Sequence, residues 1–187
     1  MNIIPICDCD CDCDCALLVI EEGYNKKVAP FQVNEKTKEI HAARVNVSLN
    51  LRNVIEISEQ NHKITFKFAI SLGWYEHRAL YHNLKDENSY NVLNDDEIQT
   101  IWTPYVIYEN TDNDEAVTIN EMVKTTIFVR REGSFVRSGM DVVDEIEIYK
   151  GKENGLTMIQ TYSKEFQCTY LIQWFPFDTQ VHSFEEN

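Results

Sequence analysis

The feature that most constrains this chain is a strict two-residue alternation across 64–74. Ile64, Phe66, Phe68, Ile70, Leu72 and Trp74 are large and apolar, and the residues between them are small or polar. Successive side chains of an extended backbone point to opposite faces, so this pattern fits a strand with one buried face. It does not fit a helix, whose apolar stripe recurs every three or four residues. A second run, Val45–Ile57, is apolar at Val45, Val47, Leu49 and Leu51 and predicts another strand buried on one face. Asn61-His62-Lys63 supplies a polar turn between the two, which are therefore expected to pair antiparallel.

Downstream, a strand is expected at Tyr105–Tyr108 and one helical turn at Asp95–Ile101. A hairpin is expected around Glu132-Gly133. Another is expected from Asp144–Tyr149 and Leu156–Tyr162, its tip marked by Asn154-Gly155. Many short strands with almost no helical periodicity predict an all-β, immunoglobulin-like β-sandwich. Residues 1–42 read as a low-complexity Cys/Asp repeat and N-terminal tail, and residues 43–187 as the β domain.

Five of the six cysteines fall in Cys7-Asp-Cys-Asp-Cys-Asp-Cys-Asp-Cys15. Structural zinc sites prefer cysteines two to four residues apart with a second pair far away. The segment is read as a repetitive tail, and neither a metal nor a cofactor is expected. The acidic stretch with Asp112, Asp114 and Glu115 is read as a solvated turn rather than a Ca²⁺ loop. A net charge of −14 argues against nucleic acid as a partner. No apolar run approaches the roughly 20 residues that span a bilayer. Met1–Ile6 carries no basic residue and Ala16–Ile20 leads into Glu21-Glu22, so no clear signal peptide is present. Asn46-Val47-Ser48 is the only N-glycosylation sequon, and it lies inside a predicted strand. With no nucleophile–base pair and no Gly-rich phosphate loop, an enzyme is not expected.

Near the C-terminus, Tyr170, Ile172 and Trp174 alternate into Phe175-Pro176-Phe177-Asp178. The proline fixes φ and removes a backbone donor, so the strand stops or kinks there. The spacing from Cys168 to this kink, with Gln180 two positions on, resembles the signature loop of the Cys-loop (pentameric ligand-gated ion channel) receptors. In that family a second cysteine closes the loop; the corresponding position here is His182. Trp74-Tyr75-Glu76-His77-Arg78 is similar to the family's Trp-x-Asp-x-Arg stretch, with Glu76 in place of the aspartate. Trp102-Thr103-Pro104, followed by Tyr108 and Asn110, resembles its Trp-x-Pro-Asp segment, with Tyr105 in place of the aspartate. The resemblance covers about 43–181.

The resemblance implies a partial extracellular ligand-binding domain of a channel subunit, with the C-terminal strands missing. Its partners would be a small-molecule agonist and the other subunits of a homo- or hetero-pentamer, on the extracellular side of the plasma membrane. Members bind agonist between subunits in a box of aromatic rings. Tyr108 falls where the first principal-face loop places its aromatic, and Leu156 and Met158 are candidates to line the complementary face. The complementary-face aromatic expected five residues before Trp74 is replaced by Ala69. Cys168, Phe175, Pro176, Phe177 and Asp178 would couple the domain to a pore. Trp74, Arg78, Trp102 and Pro104 would be structural. The alternative is a soluble ligand-binding or interaction protein of the same fold without channel activity. A sandwich lacking strands would expose unpaired edges and apolar faces.

Overall fold

The alternating run at 64–74 is the central strand of a sheet. A computed structural model describes residues 16–33, 40–108, 122–138 and 146–168. The Cys7–Cys15 repeat, the Asp112–Glu115 turn and Phe175–Asp178 lie outside the described residues. In chain order the strands are β1 (Leu18–Ile20), β2 (Phe31–Val33), β3 (Ile40–Ala42), β4 (Asn46–Ser58), β5 (Lys63–Trp74) and β6 (Ala79–His82). They continue as β7 (Met122–Val129), β8 (Phe135–Ser138), β9 (Ile146–Lys150) and β10 (Leu156–Gln167). One short helix, α1 (Asp95–Thr100), and a 3₁₀ turn at Asn88–Tyr90 complete the described elements.

One four-stranded sheet has the order β1-β6-β9-β8 and the other β4-β5-β10-β7, while β2 and β3 form a two-stranded ribbon. Both larger sheets are antiparallel, and the fold is an all-β sandwich. β5 and β10 carry the core. On β5, Ile64, Phe66, Phe68, Ile70, Leu72 and Trp74 are all buried. On β10 the alternate residues Leu156, Met158, Gln160, Tyr162, Lys164 and Phe166 are buried. The chain divides into two compact units. One comprises Met1–Asn46, Leu72–Pro104 and Thr126–Met158; the other comprises Val47–Ser71, Tyr105–Thr125 and Ile159–Asn187.

Four local outcomes differ from expectation. Strands begin before residue 43: β1 pairs with β6 through Leu18↔Tyr81, Val19↔Leu80 and Ile20↔Ala79. A three-residue strand is too short to display alternation, and its partner becomes evident only after folding. Second, the alternating face of β4 is exposed, with Val47 at 56%, Leu49 at 50% and Ile57 at 59%. β4 sits at the edge of its sheet, so it has the pattern of a buried strand without a described element over it. Asn46 and Ser48 of the sequon are exposed as well.

Third, neither downstream hairpin forms. β7 and β8 belong to different sheets, and so do β9 and β10; the turns after β7 and β9 carry the chain across. Asn154, 0% exposed, ties those turns together. Its Oδ1 accepts from the backbone N–H of Glu132 and Gly133, both at 3.0 Å, and its Nδ2 donates to the Lys150 carbonyl at 2.9 Å. Asn-Gly therefore marks a turn here, but a crossover turn rather than a tight hairpin. Fourth, Tyr105–Tyr108 runs without regular secondary structure, although Tyr105 and Ile107 face outward while Tyr108 is half-buried.

The turn after β9 is also where backbones approach most closely. Gly151 donates to the Ala79 carbonyl at 2.9 Å. A Cβ on Gly151 would lie 2.0 Å from the Glu76 carbonyl oxygen and 2.8 Å from that of Ala79. Both obstacles are backbone, so they cannot rotate away. Gly151→Ala lowers unfolding free energy by about 2–3 kcal/mol, as measured by urea denaturation; a loss within 0.5 kcal/mol would contradict this close approach.

Candidate functional site

Beyond Trp74 the chain turns sharply, with Ala79 N–H donating to the Glu76 carbonyl at 3.0 Å. The turn leaves Glu76 0% exposed. A buried carboxylate must be paired and hydrogen-bonded to persist as an ion, and Glu76 is both. Arg78 donates to it side-on, Nε to Oε1 at 2.7 Å and Nη2 to Oε2 at 2.7 Å. The Tyr24 hydroxyl donates to Oε2 at 2.9 Å. Arg78 also donates to the Val28 carbonyl at 2.9 Å, and its guanidinium lies 4.5 Å from the centre of the Tyr24 ring. Tyr24 in turn accepts the Trp102 N–H at 2.8 Å. Burial pushes the Tyr24 phenol up to about 12, with the Trp102 bond opposing and Glu76 reinforcing the rise. The hydrogen bond to Glu76 raises the pKa of Arg78.

This knot fixes both tryptophan motifs. Trp74 is 1% exposed and meets Trp102 edge-on at 6.0 Å between ring centres. Helix α1, just before Trp102, has a capping box between Asn94 and Glu97, and Glu97 Oε1 also accepts the Leu18 N–H at 2.9 Å. Pro104 follows at the end of this anchored stretch. His77, between Glu76 and Arg78, packs edge-on against Phe31 at 4.8 Å, and burial lowers its pKa.

A separate open cleft of about 420 Å³ is lined by Asn83, Leu84, Lys85, Asp86, Arg131 and Glu147. Its central cation is engaged by the protein itself. Arg131 donates to the Leu84 carbonyl at 3.2 Å, pairs with Asp86, and lies 5.2 Å from the centre of the Tyr149 ring. The Tyr149 hydroxyl donates to Glu147 at 2.7 Å; burial first, then that bond, pushes its pKa up to about 12.

Tyr108 lies in an aromatic cluster. Its ring meets Phe68 edge-on at 5.8 Å, Tyr162 at 5.5 Å and Phe166 at 6.0 Å, and Phe68 stacks on Tyr162 at 5.5 Å. Lys164 Nζ lies 4.9 Å from the centre of the Tyr108 ring. Leu156 and Met158 are core side chains, 0% and 2% exposed; a ligand would reach them only if that face of β10 opened. Ala69 is buried too. Cys168 carries a free thiol whose pKa burial raises, and its N–H donates to the His62 carbonyl at 2.7 Å. Among the described residues no three His, Cys, Asp or Glu side chains gather to hold a metal, and no helix is long and apolar enough to cross a membrane.

Two participants escaped sequence reasoning. Tyr24 lies in the segment read as tail, and nothing local ties it to Glu76. Lys164 did leave a signal: it occupies an apolar register position between Tyr162 and Phe166. The knot carries a testable magnitude. Glu76→Ala leaves Arg78 without its carboxylate and lowers stability by about 3–5 kcal/mol. Tyr24→Phe removes one hydroxyl and costs about 1–3 kcal/mol. Urea denaturation of both variants measures the difference, and equal losses would contradict the arrangement.

Residues 16–185 match the family model for the neurotransmitter-gated ion-channel ligand binding domain. No curated protein matches the chain. The match begins two residues before β1 and spans every described element, including the Glu76–Arg78 turn and the Trp102-Thr103-Pro104 stretch. The chain belongs to the neurotransmitter-gated ion-channel ligand-binding domain family.

Proposed function

We propose that this chain is the extracellular ligand-binding part of a ligand-gated ion channel subunit. It binds a small-molecule agonist where two subunits of a homo- or hetero-pentamer meet. The family match across 16–185 carries this reading. That the family's members are extracellular domains of membrane channels supports a position for this chain on the outer side of the plasma membrane.

Within that reading Tyr108 is the aromatic that an agonist's ammonium meets. An aromatic face attracts a cation by its quadrupole, by about 0.5–2 kcal/mol per contact. The half-buried position of Tyr108 among Phe68, Tyr162 and Phe166 supports the assignment, because surrounding rings hold its orientation. Cys168, Phe175, Pro176, Phe177 and Asp178 are the coupling element, in whose sequence two aromatics flank a proline and one carboxylate follows. Trp74, Arg78, Trp102 and Pro104 are structural, and the Glu76 knot supports that assignment. The chain performs no catalysis in this account.

Assembly tests the reading. Native mass spectrometry of the chain, purified from a secretory host, is expected to show a species at five times the 21.9 kDa chain mass. A chain that is folded by circular dichroism yet runs only as monomer at micromolar concentration would overturn assembly through this domain.

A further inference from the structure

The sheet β4-β5-β10-β7 has two outer strands, and they are finished differently. Beside β7 the chain lays a covering segment. The Leu93 N–H donates to the Ile127 carbonyl and the Val129 N–H to the Asn91 carbonyl, both at 2.9 Å, and Val92 bridges Phe128. In the other four-stranded sheet the outer strands are short, three residues in β1 and four in β8. β4 is 13 residues long and has no such cover among the described residues. A bare strand edge is a row of N–H and C=O groups that invites another strand, and proteins blunt it with lysine, proline or a bulge. β4 contains no lysine, proline or glycine. Its side chains divide by face: Leu49, Leu51, Ile55 and Ile57 share one, and Arg52, Val54 and Glu56 share the other. All of them are exposed. Arg52 and Glu56 carry opposite charges on one face, yet an extended backbone sets them about 13 Å apart, too far to pair with each other.

We propose that the outer edge of β4 pairs antiparallel with β4 of a second copy of this chain. Two-fold symmetry makes every cross-strand pair reciprocal, and charge selects the register. With Val54 opposite the partner's Val54 on the two-fold axis, Arg52 meets the partner's Glu56 and Glu56 meets the partner's Arg52. Leu51 then meets the partner's Ile57, and Ile57 the partner's Leu51. Directly opposite residues lie on the same face of a sheet, so each of these pairs is in side-chain contact. An axis at Arg52 would set guanidinium against guanidinium, and one at Asn53 would set Glu56 against Asn50. Only the Val54 centre opposes each charge to its opposite. β4 is therefore complementary to itself, which is why the occupant is a second copy rather than an unrelated strand. The overlap runs over 50–58 and leaves Asn46 of the sequon outside it. An edge contact of this length is small beside the standard interface of about 1,600 Å², so the pair is expected to dissociate in the micromolar range. The contact is isologous and closes at two chains, whereas a pentameric ring is built from heterologous contacts. It goes beyond the channel reading and does not depend on it.

Sedimentation velocity of the full chain across the micromolar range tests the pairing. The expected result is reversible growth of a species at twice the 21.9 kDa chain mass, or of two joined rings where the pentamer also forms. Arg52→Glu turns both Arg–Glu pairs into like-charge pairs and is expected to weaken pairing about tenfold, as is Glu56→Arg. The double variant Arg52→Glu/Glu56→Arg reverses every pair at once and is expected to recover wild-type affinity within about threefold. All three substitutions fall on exposed positions, and circular dichroism checks that the variants fold. Pairing that survives either single substitution, or that the double variant fails to recover, overturns the proposal. So does a chain that stays as single copies or lone rings, or one that aggregates without closing at two. The single variants leave ring formation intact, so failure here and failure of the pentamer reading are distinguishable.

Discussion

The first compact unit depends on one buried carboxylate. Glu76 lies at the point where β5 ends, and its charge can remain in the interior only while Arg78 and Tyr24 complete its hydrogen bonding. Satisfying that charge recruits distant chain. Tyr24 brings the segment after β1, and its hydroxyl reaches on to the Trp102 backbone. Arg78 reaches the Val28 carbonyl. The Glu76 backbone then sets a limit on its other side, where only glycine fits at position 151. The two motifs that point to the family, around Trp74 and around Trp102, are thus parts of a single polar network. Replacing the family's aspartate by a longer glutamate preserves the network, because the bidentate bond to Arg78 forms with both distances at 2.7 Å.

Cations lying over aromatic rings recur through the molecule. Arg78 covers Tyr24, Arg131 covers Tyr149, Arg130 lies 5.7 Å from the Tyr75 ring, and Lys164 lies over Tyr108. The three arginines also engage carboxylates: Glu76, Asp86 and Glu132. A chain of net charge −14 has abundant acid on its surface. These arginines add ring faces to their carboxylate partners.

Much of the architecture was legible because side-chain period reports burial. The alternation of 64–74 yielded β5 with its buried face, and the helical turn expected at Asp95–Ile101 forms as α1 over Asp95–Thr100. The period also misled. β4 alternates as cleanly as β5, but period two states which side chains share a face, not whether anything lies over it. The Asn154-Gly155 pair reported a turn and could not report that the flanking strands belong to different sheets; that distinction lies in Asn154's bonds to Glu132 and Gly133, 22 and 21 residues earlier in the chain. β1 was hidden by its length. Of the candidate site, Glu76 and Arg78 stood out through motif spacing, whereas Tyr24, 52 residues away in sequence from Glu76, could not. Lys164 was visible as an exception to an apolar register and acquired meaning only when Tyr108 was placed beside it.

The central claim is that internal charges settled on aromatic and carboxylate partners organise this ligand-binding domain, and Lys164 is its sharpest instance. The most direct measurement is a heteronuclear NMR spectrum of the chain labelled selectively with ¹³C-lysine. A side chain held over a phenol ring feels the ring current, so the account places the Lys164 ε-protons upfield of every other lysine, with Tyr108→Leu returning them to the common position. Lys164 ε-protons that resonate with the exposed lysines in a folded chain would contradict it.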